Sequence, residues 1–278
     1  MTPDGALRQP ADLNNHNGDG SSNAELDTLL YSSIAGKGSD RERTIYQVAV
    51  LVDTTLFRAY MYAQPSLAGS LFRISNSCDP LVVKEKLLEN GRYNDLVDFL
   101  FGKGLHLDAL ELLKRLGQGQ AEGVTVPQLR GPERTVTYLQ NLPPEMIDLI
   151  LEFAEWPLRD NPDLSMEVFL ADTENAETLP RDKVLRFLEN IDRQLAVRYL
   201  KHVIHELNDS TPEFHQRLIG LYLDRLKSRS SQNIEDQNEA MRIFLDFLRQ
   251  SQSYSAGKVL GLLPRGKDYC TRTPLVRH

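Results

Sequence analysis

Three small groups of residues in this chain have types and spacings that chemistry could use. Ala35-Gly36-Lys37-Gly38-Ser39 carries the glycine–lysine pair of a phosphate-cradling loop. Such a loop also needs a glycine five residues before the pair and a Ser or Thr after the lysine. Tyr31 and Gly38 occupy those places, so the segment reads as a lead into a helix. His202 and His205 stand three apart, a spacing that shares one helix face, and His215 follows. Zinc asks for more ligands with an ordered outer shell, and Lys201-His202-Val203-Ile204-His205-Glu206 lacks the HExxH order. A surface or partly buried histidine pair is the reading. Cys78 and Cys270 are the two cysteines, too few for a disulfide framework or a cysteine zinc site. Neither has a histidine beside it in sequence to activate a thiol, and no GxSxG elbow occurs. Asp95 and Asp98 read as solvated carboxylates, and Trp156, before Pro157 at an expected helix end, as a hydrophobic anchor. No residue is assigned a catalytic, cofactor-binding or metal-binding role, and the chain is expected not to be an enzyme.

The 278 residues are 41% apolar and 26% charged, the balance of a folded soluble protein. A formal net charge of -7 repels a phosphate backbone unless a basic face is segregated, so no nucleic-acid partner is expected. The basic residues Arg225, Lys227 and Arg229 lie beside acidic ones and read as a solvated helix face. The N-terminus has no apolar core of a secretory signal, and the longest apolar run, Val48-Ala49-Val50-Leu51-Val52, falls far short of a bilayer span. A cytoplasmic protein is expected, peripheral to a membrane through its partners.

The elements that would position these residues are helices. Tyr93, Leu96, Val97, Leu100 and Phe101 follow the i, i+3, i+4, i+7, i+8 spacing of one helix face. After Gly102-Lys103-Gly104 the pattern restarts at Leu105, Ala109, Leu112, Leu113 and Leu116, with Gly117 expected as a left-handed cap. Together they predict an αα-hairpin, the unit of helical repeat proteins. Pro143-Pro144 precedes Met146, Ile147, Ile150, Leu151 and Phe153; Leu179-Pro180 opens Val184, Leu185 and Leu188; Leu195, Tyr199, Leu200, Val203 and Leu207 follow. Thr211 as N-cap and Pro212 as first helical residue precede Phe214, Leu218, Leu221 and Tyr222, and Ala240, Phe244, Leu245 and Leu248 give a last stripe. Thr44 to Val52 is β-branched enough for a strand, but it runs without a turn signal through Asp53 to Met61 and would have no strand to pair with. One long helix is expected there. The fold class is all-α, an α-solenoid of stacked antiparallel helical hairpins over residues 24–263. Residues 1–23, poor in apolar surface, are expected to be disordered, and residues 264–278 to be an irregular tail. Gly117 to Gly123, running on to Gly131-Pro132, and Ser228 to Gln232 are expected loops.

Several stretches, taken in order, form a recognisable series. They are Val52-Asp53-Thr54-Thr55-Leu56-Phe57-Arg58-Ala59-Tyr60-Met61, then Lys86 to Leu96 with Gly104 to Leu113, then Gly131-Pro132-Glu133-Arg134-Thr135-Val136-Thr137-Tyr138-Leu139-Gln140. Trp156-Pro157-Leu158-Arg159-Asp160 and Leu179-Pro180-Arg181-Asp182-Lys183-Val184-Leu185 complete the series, which resembles the vacuolar sorting protein thirty-nine family, including the TGF-beta receptor-associated protein, over about Arg41 to Pro264. The resemblance implies a clathrin-heavy-chain-repeat-like solenoid in a subunit of the HOPS tethering complex, on vacuole or late-endosome membranes. In that family a β-propeller precedes the solenoid, and a longer helical tail with a Cys-rich end follows. Neither is in this chain, and Arg265 to His278 departs from the family pattern, as a fragment, a truncated gene or a shifted frame would. The implied partners are other HOPS-type subunits, with a vacuolar Rab GTPase reached only through regions outside this chain.

The expected function is therefore mechanical: a middle solenoid segment that holds two interaction modules apart during endosome- or autophagosome-to-vacuole transport and fusion. The alternative is a stand-alone adaptor that captures a peptide between helices. Apolar end surfaces are expected near Leu56 to Tyr60 and Val259 to Leu263.

Overall fold

A computed structural model describes residues 40–120, 127–228, 234–251 and 253–262. Among them every regular element is a helix, and the chain divides into two compact units, residues 1–130 and 131–278. Each is a stack of antiparallel helical hairpins, the α-solenoid architecture that the helical periods predict. The expected disordered tract at 1–23, the tail at 264–278 and residues 121–126 and 229–232 of the expected loops lie outside the described residues.

The first unit contains α1 (Asp40–Ala63), α2 (Ala68–Phe72), α3 (Pro80–Glu89), α4 (Tyr93–Gly102) and α5 (His106–Gly117). The β-branched stretch from Thr44 to Val52 is helical throughout, as expected. α1 packs on α2 and α3, α2 also on α4, and α3, α4 and α5 pack in sequence. Three rings bind the helices: Phe57 of α1 lies 5.7 Å from Phe72 of α2, which lies 4.9 Å from Phe99 of α4. The expected α4 stripe needs one correction. Phe99 is buried whereas Phe101 is exposed, because α4 is covered by α2 as well as by its hairpin partners and so buries a second face. In α5, Leu110 is fully buried and Leu112 only half-buried.

The hairpin turns explain a second correction. Gly104 has φ 71° between α4 and α5, where the Leu105 N–H reaches back to the Leu100 carbonyl at 2.9 Å. After α5 the left-handed residue is Gly119 (φ 68°), not Gly117, which is still helical; the Gln120 N–H closes on the Arg115 carbonyl at 2.9 Å. The six-residue closing bond requires a positive φ just inside it, and glycine takes that at no steric cost.

The second unit runs α6 (Glu133–Gln140), α7 (Ile147–Asp160), three single turns α8 (Pro162–Ser165), α9 (Glu167–Leu170) and α10 (Glu174–Glu177), then α11 (Arg181–Ile191), α12 (Arg193–His205), α13 (Pro212–Ser228), α14 (Ile234–Gln250) and α15 (Ala256–Leu262). α6 pairs with α7, α7 also touches α11, and α11 to α14 pack successively. Pro144 opens a 3-10 turn that leads into α7, and Pro212 is the first residue of α13. The Thr211 carbonyl accepts from the Phe214 N–H at 3.1 Å, while its hydroxyl engages Asp209. α7 does not end before Pro157 as expected; it continues to Asp160. The proline removes the N–H that would reach the Phe153 carbonyl, and the burial of Trp156, Pro157 and Leu158 together offsets that loss.

Candidate interaction surface

The first unit gathers its polar side chains at one joint. α1 presents Asp53 and Thr54 to the segment between α2 and α3: Asp53 Oδ2 accepts from the Ser77 N–H at 2.6 Å, and Thr54 Oγ1 accepts from the Asp79 N–H at 2.9 Å. Asp79 then caps α3, its Oδ1 accepting from the Leu81 N–H at 2.9 Å. From the far side Lys103, the residue that follows α4, donates to the Asn76 carbonyl at 2.6 Å, its Nζ 5.6 Å from the Phe99 ring centre. Burial lowers the Lys103 pKa, with nearby Cys78 and Asp53 opposing that shift. Burial likewise pushes the Cys78 thiol up to about 11, Lys103 working against it and Asp53 with it. A protonated, enclosed thiol is no nucleophile. This cluster fastens α1, α3 and α4 to one loop, and its chemistry is structural.

α1 has a second face. Phe57 and Thr54 point inward, whereas Val48, Leu51, Val52 and Leu56 on the opposite side are between 38% and 67% exposed and Tyr62 is 94% exposed. The expected apolar surface at Leu56 to Tyr60 is thus part right: Leu56 is exposed, Phe57 is wholly buried and Tyr60 half-buried. At the other end the expectation fails for Val259, which is fully buried; α15 packs on α13.

In the second unit, His202 is half-buried and His205 exposed, matching the surface-pair reading. His215 is buried: Nδ1 meets Ser251 Oγ at 2.6 Å, Nε2 meets the Asp209 carbonyl at 3.0 Å, and the ring stacks on Phe247 at 5.9 Å. His205 is edge-on to the same Phe247 at 6.1 Å. These groups border an open cleft of about 270 Å³ with Asn208, Ser210 and Gln250. Both His215 nitrogens are spent on the fold, tying α13 to the end of α14 and to the loop before α13. No sequence spacing marks this contact, since Ser251 lies 36 residues on. Among the described residues no group of three or more His, Cys, Asp and Glu side chains is placed to hold a metal ion.

The acidic pair divides. Asp95 is half-buried and paired with Arg92 at 2.6 Å, so it is not simply solvated, whereas Asp98 is exposed. Trp156 is a buried anchor within α7, with its Nε1 enclosed and unpaired. Arg225 is half-buried with its Nε enclosed, not part of a fully solvated basic face. No helix among the described residues is long and apolar enough to cross a membrane.

Comparison with known proteins places these features. Residues 52–158 match the model of the family Vacuolar sorting protein 39 domain 1. The chain is 32% identical over 225 residues to Vacuolar morphogenesis protein 6 of Schizosaccharomyces pombe, covering 77% of this chain and 24% of that one. It is 36% identical over 179 residues to the Vam6/Vps39-like protein of Mus musculus, covering 64% and 20%. It is 32% identical over 219 residues to the Vacuolar protein sorting-associated protein 39 homolog of Drosophila melanogaster, covering 77% and 24%. No solved structure matches the chain. The chain spans about a quarter of the length of these curated relatives. The matched segment begins one residue before Asp53 and contains Thr54, Cys78, Asp79 and Lys103, the whole joint of the first unit, and over it the chain belongs to the vacuolar sorting protein 39 family.

Proposed function

We propose that this chain is a non-enzymatic scaffold segment of a HOPS-type tethering subunit, acting in transport from endosomes and autophagosomes to the vacuole and in the fusion that follows. The family match over 52–158 carries the reading. The use of polar groups supports it: Asp53, Thr54, Lys103 and His215 each fasten one helix to another instead of converging on a substrate-sized void. A stack built this way transmits position, because each hairpin is fixed by its neighbours. Its partners are other subunits of the tethering assembly, with a vacuolar Rab GTPase engaged outside this segment. The protein is cytoplasmic and reaches vacuole and late-endosome membranes through those partners. Residues 24–263 form the solenoid segment in this reading.

The test exchanges segments. Residues 52–262 of this chain replace the matching part of Schizosaccharomyces pombe Vacuolar morphogenesis protein 6 in cells lacking the native copy. Normal vacuole morphology, together with recovery of the other tethering subunits on the tagged chimera, is the expected result. A chimera that accumulates to the native level but restores neither overturns the proposal.

A further inference from the structure

A helix on a protein surface normally turns its polar side to water, and one that is apolar on both sides is covered on both. α1 buries Phe57 and Thr54 on one side. On the opposite side Ile45, Val48, Val52, Thr55, Ala59 and Tyr62 follow one another at alternating steps of three and four residues, the spacing that keeps a seam facing a second helix. All but half-buried Ile45 are exposed, and Leu51, at 67%, and Leu56, at 38%, widen the seam on either flank. None of the six carries a charge. Thr55 already donates its hydroxyl to the Leu51 carbonyl at 2.6 Å, so covering it leaves no donor unpaired.

We infer that this seam is a self-association surface: a second copy of this chain lays its own α1 antiparallel along it, about a two-fold axis level with the Asp53–Thr54 peptide. Val52 then meets Thr55 of the other copy, Val48 meets Ala59, and Ile45 meets Tyr62. A two-fold axis makes every contact occur twice, so the seam must complement itself. In this register it does, since all six positions pair over about 26 Å of helix and no charge enters. Sliding the copies to the neighbouring register, with Val48 on Val52, would draw Arg41 into the seam and leave Tyr62, 94% exposed, outside it.

The area suits a second copy. Val48, Leu51, Val52, Leu56 and Tyr62 together offer about 550 Å², so two copies enclose about 1,100 Å², just above the roughly 1,000 Å² of a specific interface. The helix itself is neutral, three arginines against three acidic residues, so charge does not oppose the pairing.

The test takes the full 278-residue chain at about 100 µM, where an interface of this size is occupied. Sedimentation equilibrium is expected to give twice the 31.6 kDa mass of one chain. Val52→Asp, at a position the fold leaves exposed, is expected to weaken the pairing by at least about tenfold with the far-UV circular dichroism spectrum unchanged. A monomeric parent chain overturns the inference, because another segment or another partner then covers the face. A dimer that Val52→Asp leaves intact overturns it as well, because the copies then meet elsewhere. Orientation is read separately in two Cys270→Ser chains, one with Val48→Cys and one with Ala59→Cys. Under mild oxidation their mixture is expected to form the mixed disulfide, and neither chain alone a disulfide dimer, because like positions stand about 16 Å apart along the helices. Disulfides between like positions, or none in the mixture, likewise overturn the inference.

Discussion

Asp53 and Ser77, 24 residues apart, are joined by a carboxylate-to-backbone hydrogen bond of 2.6 Å that pins the loop before α3 to the middle of α1. The neighbouring bond from Thr54 to the Asp79 N–H places α3's own capping residue. A charged acceptor on a half-buried N–H is worth more than a neutral one, about 1.5–3 kcal/mol. Asp53→Ala is expected to lower stability by about 2 kcal/mol, and Asp53→Asn, which keeps an oxygen acceptor, by about half as much. Urea unfolding of the purified chain measures both; an alanine variant as stable as the parent excludes the joint as a fastening point.

The same joint sets the behaviour of Cys78. Its thiol, pushed up to about 11 mainly by burial, stays protonated at pH 8 and is shielded as well. In a Cys270→Ser chain, a thiol reagent at pH 8 is expected to react with Cys78 only after denaturant is added. Rapid reaction in the native chain contradicts the closed joint. Because the folded thiol titrates above its ordinary value of 9.0, its contribution to stability is complete below pH 9 and is lost as pH rises through about 11.

Asp209 gives the opposite pH dependence. Burial pushes its carboxyl up, but bonds from the Thr211 hydroxyl and N–H and from the Arg181 guanidinium outweigh that and leave the pKa lowered. A lowered carboxylate stabilises the fold above its unfolded value, near 3.9, and that stabilisation disappears as pH falls through the folded value. Asp209→Asn is therefore expected to destabilise the chain at pH 7 and to flatten the acid limb of the stability curve below about pH 4. Parallel curves for the two chains would remove Asp209 from the account.

What the sequence made legible follows from locality. Helix existence, the α4–α5 hairpin and the helical state of Thr44 to Val52 depend on apolar period and turn residues within about a dozen positions, and all were readable. Phe99 and Leu110 were not, because a helix in the middle of a stack buries faces set by neighbours that a single stripe does not reveal. Pro157 reads as a stop signal, and only the burial of the residues around it shows why α7 continues. The Asp53 and His215 contacts span 24 and 36 residues between side chains with no motif of their own, so only the folded chain brings them together.

His215 and Ser251 make the last prediction, since their 2.6 Å contact is a polar tie between α13 and the residue that follows α14. The ring also stacks on Phe247, so the histidine contributes packing as well as the hydrogen bond. Ser251→Ala removes the bond alone and is expected to cost about 1 kcal/mol, the usual net worth of one hydrogen bond. His215→Ala removes the bond, the contact to the Asp209 carbonyl and the ring, and is expected to cost about 3 kcal/mol or more. The double variant should cost about 1 kcal/mol less than the sum of the two, the coupling expected when both changes delete the same bond. Strict additivity in the double-mutant cycle would mean that the two side chains do not hold α14 in place, leaving Phe247 stacking as the remaining tie.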